Sequence, residues 1–125
     1  MPRFAVLEHT GAPDDPAGRH FDLLLEAGAA CRTWRLLTLP KAAGDAVAGL
    51  ELPPHRLVWL ERLEGEVSGG RGFARRVDAG HYDLRSADAA DLSTATAIVL
   101  ELAGATFSGR LRLEAVGDGW SVRLG

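Results

Sequence analysis

Four histidines occur in the 125-residue chain, and His9 and His20 fall at the ends of two apolar runs. These runs are Arg3-Phe4-Ala5-Val6-Leu7-Glu8-His9 and His20-Phe21-Asp22-Leu23-Leu24-Leu25-Glu26. In an extended strand, side chains at i and i+2 share a face, with Cα atoms roughly 6.5–7 Å apart. His20 and Asp22 therefore project together, while Phe21, Leu23 and Leu25 project to the opposite side. A neighbouring strand ending in His9 would complete a patch of two imidazoles and one carboxylate. Such a set leaves positions open for water or substrate and suits Mn²⁺, Zn²⁺ or Fe²⁺. A His-x-Asp pair is also common in plain strands, where His9 would end an edge strand and Asp22 would pair with Arg19 or Arg35.

The elements that must position these groups are mostly extended. Period-two alternation predicts strands over Arg3 to His9, His20 to Glu26 and Cys31 to Leu37, with Ala27-Gly28-Ala29-Ala30 as the turn between the last two. Lys41 to Pro54, rich in Ala, Gly and Pro, reads as a connection with room for a helical turn. An extended stretch follows from His55 to Val67, broken by Gly65 and by Ser68-Gly69-Gly70-Arg71-Gly72. Phe73 to Asp78 and His81 to Arg85 read as strands joined by an Ala79-Gly80 turn, and Ser86 to Thr96 as a short helix. Ala97 to Ala103, Thr106 to Val116 and Trp120 to Leu124 close the chain as strands. About eight short strands with close turns point to a mainly β barrel or sandwich.

Composition bounds the rest. A chain of 125 residues fits one domain, here residues 1–125. At 46% hydrophobic and 25% charged it can bury a packed core. No apolar run is long enough to span a bilayer, the N-terminus turns polar too early for a secretory signal, and Cys31 is the one cysteine. The expectation is a cytoplasmic protein without a disulfide framework, acting as a monomer. A net charge of −3 argues against a broad duplex-binding surface but not against a grip on one strand end.

An ordered series of segments carries a resemblance to a known family. His9, His20-Phe21-Asp22-Leu23-Leu24-Leu25-Glu26, Thr33-Trp34-Arg35-Leu36, Pro54-His55-Arg56-Leu57, Glu64 to Gly72 and Asp78-Ala79-Gly80-His81-Tyr82 occur in that order. Leu102-Ala103-Gly104, Gly109-Arg110-Leu111 and Trp120-Ser121-Val122 complete it. The series resembles the 3′-phosphoesterase domain of bacterial DNA ligase D, and more closely its standalone relatives, the DNA polymerase/ligase N-terminal-domain proteins. The resemblance implies a compact β-barrel, closed or partly open, with a short helical crossover. It implies that His9, His20 and Asp22 bind a catalytic divalent metal, usually Mn²⁺, and that His55 contacts the phosphate. The implied activity trims DNA or RNA–DNA 3′ ends, removing a terminal ribonucleoside and then the 3′-phosphate, beside a separate ligase or polymerase. Three departures stand out, one being a spacing from His9 to His20 longer than in ligase D, with Gly11 to Gly18 between them. The family's His-x-Asp-x-Arg is interrupted by Leu24, a substitution shared by standalone relatives, and a family tyrosine is replaced by Trp59.

The chemistry makes its own demands. Hydrolysis of a phosphomonoester needs charge neutralisation and an in-line water. A protonated His55 could bind the phosphate or protonate the leaving 3′ oxygen. Arg71, in the glycine-rich turn, is the expected substitute for the missing arginine, with Arg56 and Arg32 as lesser candidates. That turn is not a nucleotide-binding loop, because no helix pattern or Lys-Ser/Thr pair follows it. His81 reads as structural, Trp34, Trp59 and Trp120 as core or barrel-wall aromatics, and Cys31 lacks a neighbouring base. Two other functions compete: a non-catalytic module that binds DNA ends, favoured by Leu24 and Trp59, and an Fe(II) oxygenase, for which the chain is short.

Overall fold

A computed structural model describes residues 1–13, 18–67, 70 and 72–125. Nine strands form one antiparallel sheet: β1 (Arg3–Thr10), β2 (Arg19–Ala27), β3 (Ala30–Leu36), β4 (Val47–His55), β5 (Glu64–Glu66), β6 (Phe73–Ala87), β7 (Ala97–Gly104), β8 (Ser108–Val116) and β9 (Gly119–Leu124). Their order is β1-β2-β3-β4-β9-β8-β7-β6-β5, and a β1–β6 pairing closes eight of them into a barrel. β5 is the extra strand, paired with the first residues of β6. Closure leaves the barrel strands without the long unpaired edge that an open sheet would carry. No helix among the described residues is long and apolar enough to cross a membrane.

The barrel has two unlike halves. In β7, β8 and β9 alternate residues are buried, among them Ile98, Leu100, Leu102, Leu111, Leu113, Val122 and Leu124, and the intervening ones meet solvent. β1, β2 and β3 are buried on both faces, so they read as nearly continuous apolar runs. Their inward residues, including Phe4, Val6, Leu23, Leu25 and Trp34, join the barrel core. Their outward residues Ala5, Leu7, Leu24 and Cys31 form a second cluster with Leu60, from the 3₁₀ turn Leu57–Leu60. The segment after β4 thus folds back over the outside of the barrel and covers one face of β1–β3.

Several expected elements differ. Lys41 to Pro54 is not merely a connection: Val47–His55 is β4, pairing with β3 from Gly49 to His55 and with β9 at Val47, Ala48 and Gly49. Pairing outweighs its weak intrinsic strand preference, and Pro53 and Pro54 sit beyond the β9 contacts, where a missing N–H is tolerated. His55 to Val67 is a 3₁₀ turn and the short β5 instead of one extended stretch. The Ser86–Thr96 helix is reduced to a 3₁₀ turn at Leu92–Thr94, because Ser86 and Ala87 still belong to β6 and pair with β7. Ala79-Gly80 is not a turn but lies inside the 15-residue β6. Gly80 is there for close approach: a Cβ would collide with the Ala103 carbonyl.

Asp78, two residues before that glycine, anchors the β7–β8 turn. Its carboxylate accepts backbone N–H bonds from Phe107 (2.6 Å), Ala79 (2.8 Å), Thr106 (2.9 Å) and Ala105 (3.1 Å). Burial opposes the charge, but these donors outweigh it and hold the carboxyl below the ordinary range. Elsewhere in the barrel, Arg32 is buried, its guanidinium over both the Trp34 and Trp120 rings at 5.0 Å from each. It grips Glu51 through two nitrogens and donates to the carbonyls of Leu92 (2.8 Å) and Ala95 (2.6 Å). The rest of the 3₁₀ turn is held by Asp91, which accepts from the Ser93 N–H.

Candidate metal centre

The β1–β2 register builds the ligand group. His9 lies directly opposite His20, and Leu7 opposite Asp22. Directly opposed residues have Cβ atoms roughly 4.5–5.5 Å apart on one face, so His9 joins His20 and Asp22 by pairing alone. The His9 and His20 rings meet edge to face at 4.6 Å. His9 Nδ1 is 3.9 Å from Asp22 Oδ2, and His20 Nε2 is 3.5 Å from Asp22 Oδ1. One ligand atom from each residue lies within 4.8 Å of the others. The patch is on the outer face of the barrel, under the edge of the covering segment, and all three residues are buried, at 8%, 0% and 5% exposure for His9, His20 and Asp22.

The donor set fits a divalent cation. Three ligands each about 2.1 Å from one ion sit roughly 3–3.5 Å apart, a contraction that small side-chain rotations supply. Asp22 Oδ1 is buried and accepts no hydrogen bond among the described residues, a position that ordinary packing leaves energetically unfavourable. Burial pushes the Asp22 carboxyl up, against the pull of His20, His55, His9 and Arg35 in the other direction. A dication beside it would offset that burial directly.

Beyond the triad opens a cleft of about 860 Å³, lined by His9, Asp22, Arg35, His55, Arg56, Trp59 and Arg62 among others. Leu52, Pro53 and Pro54 of β4 contribute an apolar wall. His55, at the end of β4, is half-buried, and its Nδ1 lies 3.1 Å from the Pro53 carbonyl. A carbonyl only accepts, so this contact puts a proton on Nδ1 and leaves Nε2 as the nitrogen able to exchange protons. The cleft wall is richer in arginine than in carboxylate, although the chain carries net charge −3.

The structure therefore brings His9, His20, Asp22 and His55 together. Arg71 falls outside the described residues, as do Ser68 and Gly69 of the same turn. Arg56 lines the cleft, but Arg32 does not serve as a phosphate ligand: its nitrogens are committed to Glu51 and to backbone carbonyls. Leu24 is fully buried in the outer cluster, where it packs rather than reacts. Cys31 lies in the same cluster, its thiol pushed up by burial to about 11, far from a nucleophile. Trp34 and Trp120 are core residues, whereas Trp59 also borders the cleft with the Arg62 guanidinium 5.0 Å over its ring. His81 is exposed and pairs with Arg3, at the opposite end of β1 from His9.

Arg35 is the cleft residue that sequence reasoning treated only as a partner for Asp22. The signal was available: in Thr33-Trp34-Arg35-Leu36 the apolar Trp34 and Leu36 alternate with Thr33 and Arg35, which puts Arg35 on the ligand face. No protein-family model and no curated protein matches this chain.

Proposed function

We propose that the chain is a metal-dependent phosphoesterase that processes nucleic-acid 3′ ends, with Mn²⁺ as the preferred ion. One observation carries the reading: a buried group of two imidazoles and a carboxylate opens, through His9 and Asp22, onto a cleft whose wall adds His55 and three arginines. His9, His20 and Asp22 would hold the metal, with Zn²⁺ or another divalent ion as a substitute. When bound, the ion neutralises phosphate charge and makes phosphorus more electrophilic.

The chain's own residues do the rest. Arginines along the wall bind the dianion and orient it. Water attacks phosphorus while the bond to the 3′ oxygen breaks. His55, protonated on Nε2, gives that proton to the leaving oxygen and so releases a 3′-hydroxyl; general acid help of this kind is worth roughly 10²- to 10⁴-fold. Pro53, Pro54 and Leu52 form the apolar wall against which a terminal nucleoside can rest. DNA or RNA–DNA ends with a 3′-phosphate, or with a terminal ribonucleoside, are the proposed substrates, supplied to a separate ligase or polymerase.

The resemblance to the ligase D phosphoesterase domain supports the same reading through the same residues. A second reading, a metal-containing module that binds ends without turnover, is favoured by Leu24 and Trp59 in place of the family's arginine and tyrosine. The deciding assay is Mn²⁺-stimulated phosphate release from a 3′-phosphorylated primer–template. Loss of release in His9→Ala and Asp22→Ala is expected, and full activity in both variants rejects the proposal. Tight binding of such ends without turnover, across a panel of metals, selects the second reading.

A further inference from the structure

We propose that Arg35 is the side chain that clamps the substrate phosphate beside the metal, taking over from across the β2–β3 pair the role that Leu24 cannot perform. The assignment rests on the phosphoesterase reading above and names the residue that orients its substrate.

Asp22 pairs with Arg35 across β2 and β3, so their side chains leave the sheet on one face with Cβ atoms roughly 5 Å apart. His9, Asp22 and Arg35 all line the same cleft. The three strands β1, β2 and β3 thus deliver, side by side, His9, then His20 and Asp22, then Arg35. A guanidinium held this way has the ligand group on one side and the cleft on the other, and its planar fork can grip two phosphate oxygens at once.

The other arginines compare poorly. Arg32 is consumed by Glu51 and the carbonyls of Leu92 and Ala95. Arg62 is exposed and rests over the Trp59 ring. Arg56 is exposed on the covering segment, outside any strand. Arg35 alone among the cleft arginines is half-buried and fixed on a central barrel strand. Positioning on a strand matters because a clamp must hold its geometry to within about half an ångström. Leu24 shares the face of Asp22 but is sealed under Leu60 with Ala5 and Leu7. An arginine there would have to displace the covering turn to reach substrate.

A purely structural role makes a different prediction. If Arg35 served only as a counter-ion for Asp22, its loss would change metal affinity and leave phosphate recognition by the metal-loaded protein intact. The test uses the full chain loaded with Mn²⁺, with Arg35→Gln, Arg35→Ala and Arg35→Lys. Calorimetry reads the affinities for Mn²⁺ and for inorganic phosphate separately, and steady-state kinetics on a 3′-phosphorylated primer–template reads KM and kcat. Arg35→Gln should bind phosphate about 10- to 100-fold more weakly, the loss of one charge-assisted pair, and raise KM in step. Mn²⁺ binding should be retained or slightly tightened, because a cation beside Asp22 is removed, and Arg35→Lys should recover part of the phosphate affinity as a point charge without the fork. Retained Mn²⁺ binding also reports that each variant is folded. Wild-type phosphate affinity in Arg35→Gln overturns the assignment while leaving the phosphoesterase reading standing, and so does loss of Mn²⁺ with phosphate affinity kept. A wild-type protein that binds Mn²⁺ but neither binds nor releases phosphate overturns both.

Discussion

Replacing Asp22 by Asn separates what the carboxylate does for the fold from what it does for a metal. Asn keeps the shape and removes the charge. In the metal-free protein, burial holds the Asp22 carboxyl above its ordinary range. The folded state therefore keeps a proton that the unfolded chain has already released. Its stability falls as pH rises from the ordinary carboxylate range through the raised value, and stays lowered at neutral pH. Asn escapes that loss, so metal-free Asp22→Asn should unfold at or above the wild-type temperature at pH 7. Mn²⁺ should reverse the ranking. At free metal about 100 times Kd, the ion adds about 2.7 kcal/mol to the wild type. A 125-residue chain has an unfolding entropy of about 0.26 kcal/mol/K, so Tm should rise by roughly 10 °C. The variant, left with two imidazoles and a neutral amide, should show almost none of that rise. Scanning calorimetry with and without chelator, at pH 5 and pH 7, reads both arms. A full Mn²⁺ shift in Asp22→Asn, or a metal-free variant that melts well below wild type, contradicts this account of Asp22.

Three further outcomes are expected. Asp78→Asn turns one acceptor oxygen into an amide facing backbone N–H groups and should destabilise by about 2–4 kcal/mol. The Asp78 contribution is present above the ordinary carboxylate range and lost as pH falls through its depressed value, so the variant's urea midpoint should vary less with pH on the acid side. Arg32→Ala leaves Glu51 and two carbonyls without their donor and should lose about 3–5 kcal/mol with Mn²⁺ affinity unchanged, as read by denaturation and calorimetry. Leu24→Arg, which supplies the arginine of the His-x-Asp-x-Arg pattern, should lower stability and, under the proposed activity, leave phosphate release no faster, because the position is sealed under Leu60; faster release would show that the covering turn yields.

Much of the candidate site was legible because it is local. His20-x-Asp22 on one strand face needs only the two-residue period of β structure, and the face assignment holds: Phe21, Leu23 and Leu25 point into the core. The third ligand needed a pairing, and the short distance between two apolar runs made β1 and β2 natural neighbours. Elements whose identity comes from non-local contacts were harder to read. Gly80 looked like turn chemistry, yet it serves a backbone crossing within a continuous strand. β4 looked like a loop because Ala, Gly and Pro form poor strands until β3 and β9 pair with them. Asp78 carried no pattern at all, since the four N–H groups it gathers include three from a turn far along the chain.

Periodicity in the residues alone makes the chain mainly β, puts one candidate ligand trio at the ends of its first two strands, and sets which face of β2 His20 and Asp22 occupy. These follow from periodicity, which acts between neighbours a few residues apart. The three-dimensional packing puts this face outside the barrel, under a folded-back segment. It also places His55 and Arg35 in a cleft with His9 and Asp22, while Arg32 is spent on packing. Those outcomes depend on closure of the β1–β6 pair and on the path of residues 56–63. Which arginine faces the cleft and which is buried is decided by pairings across the whole chain, and no local spacing encodes them.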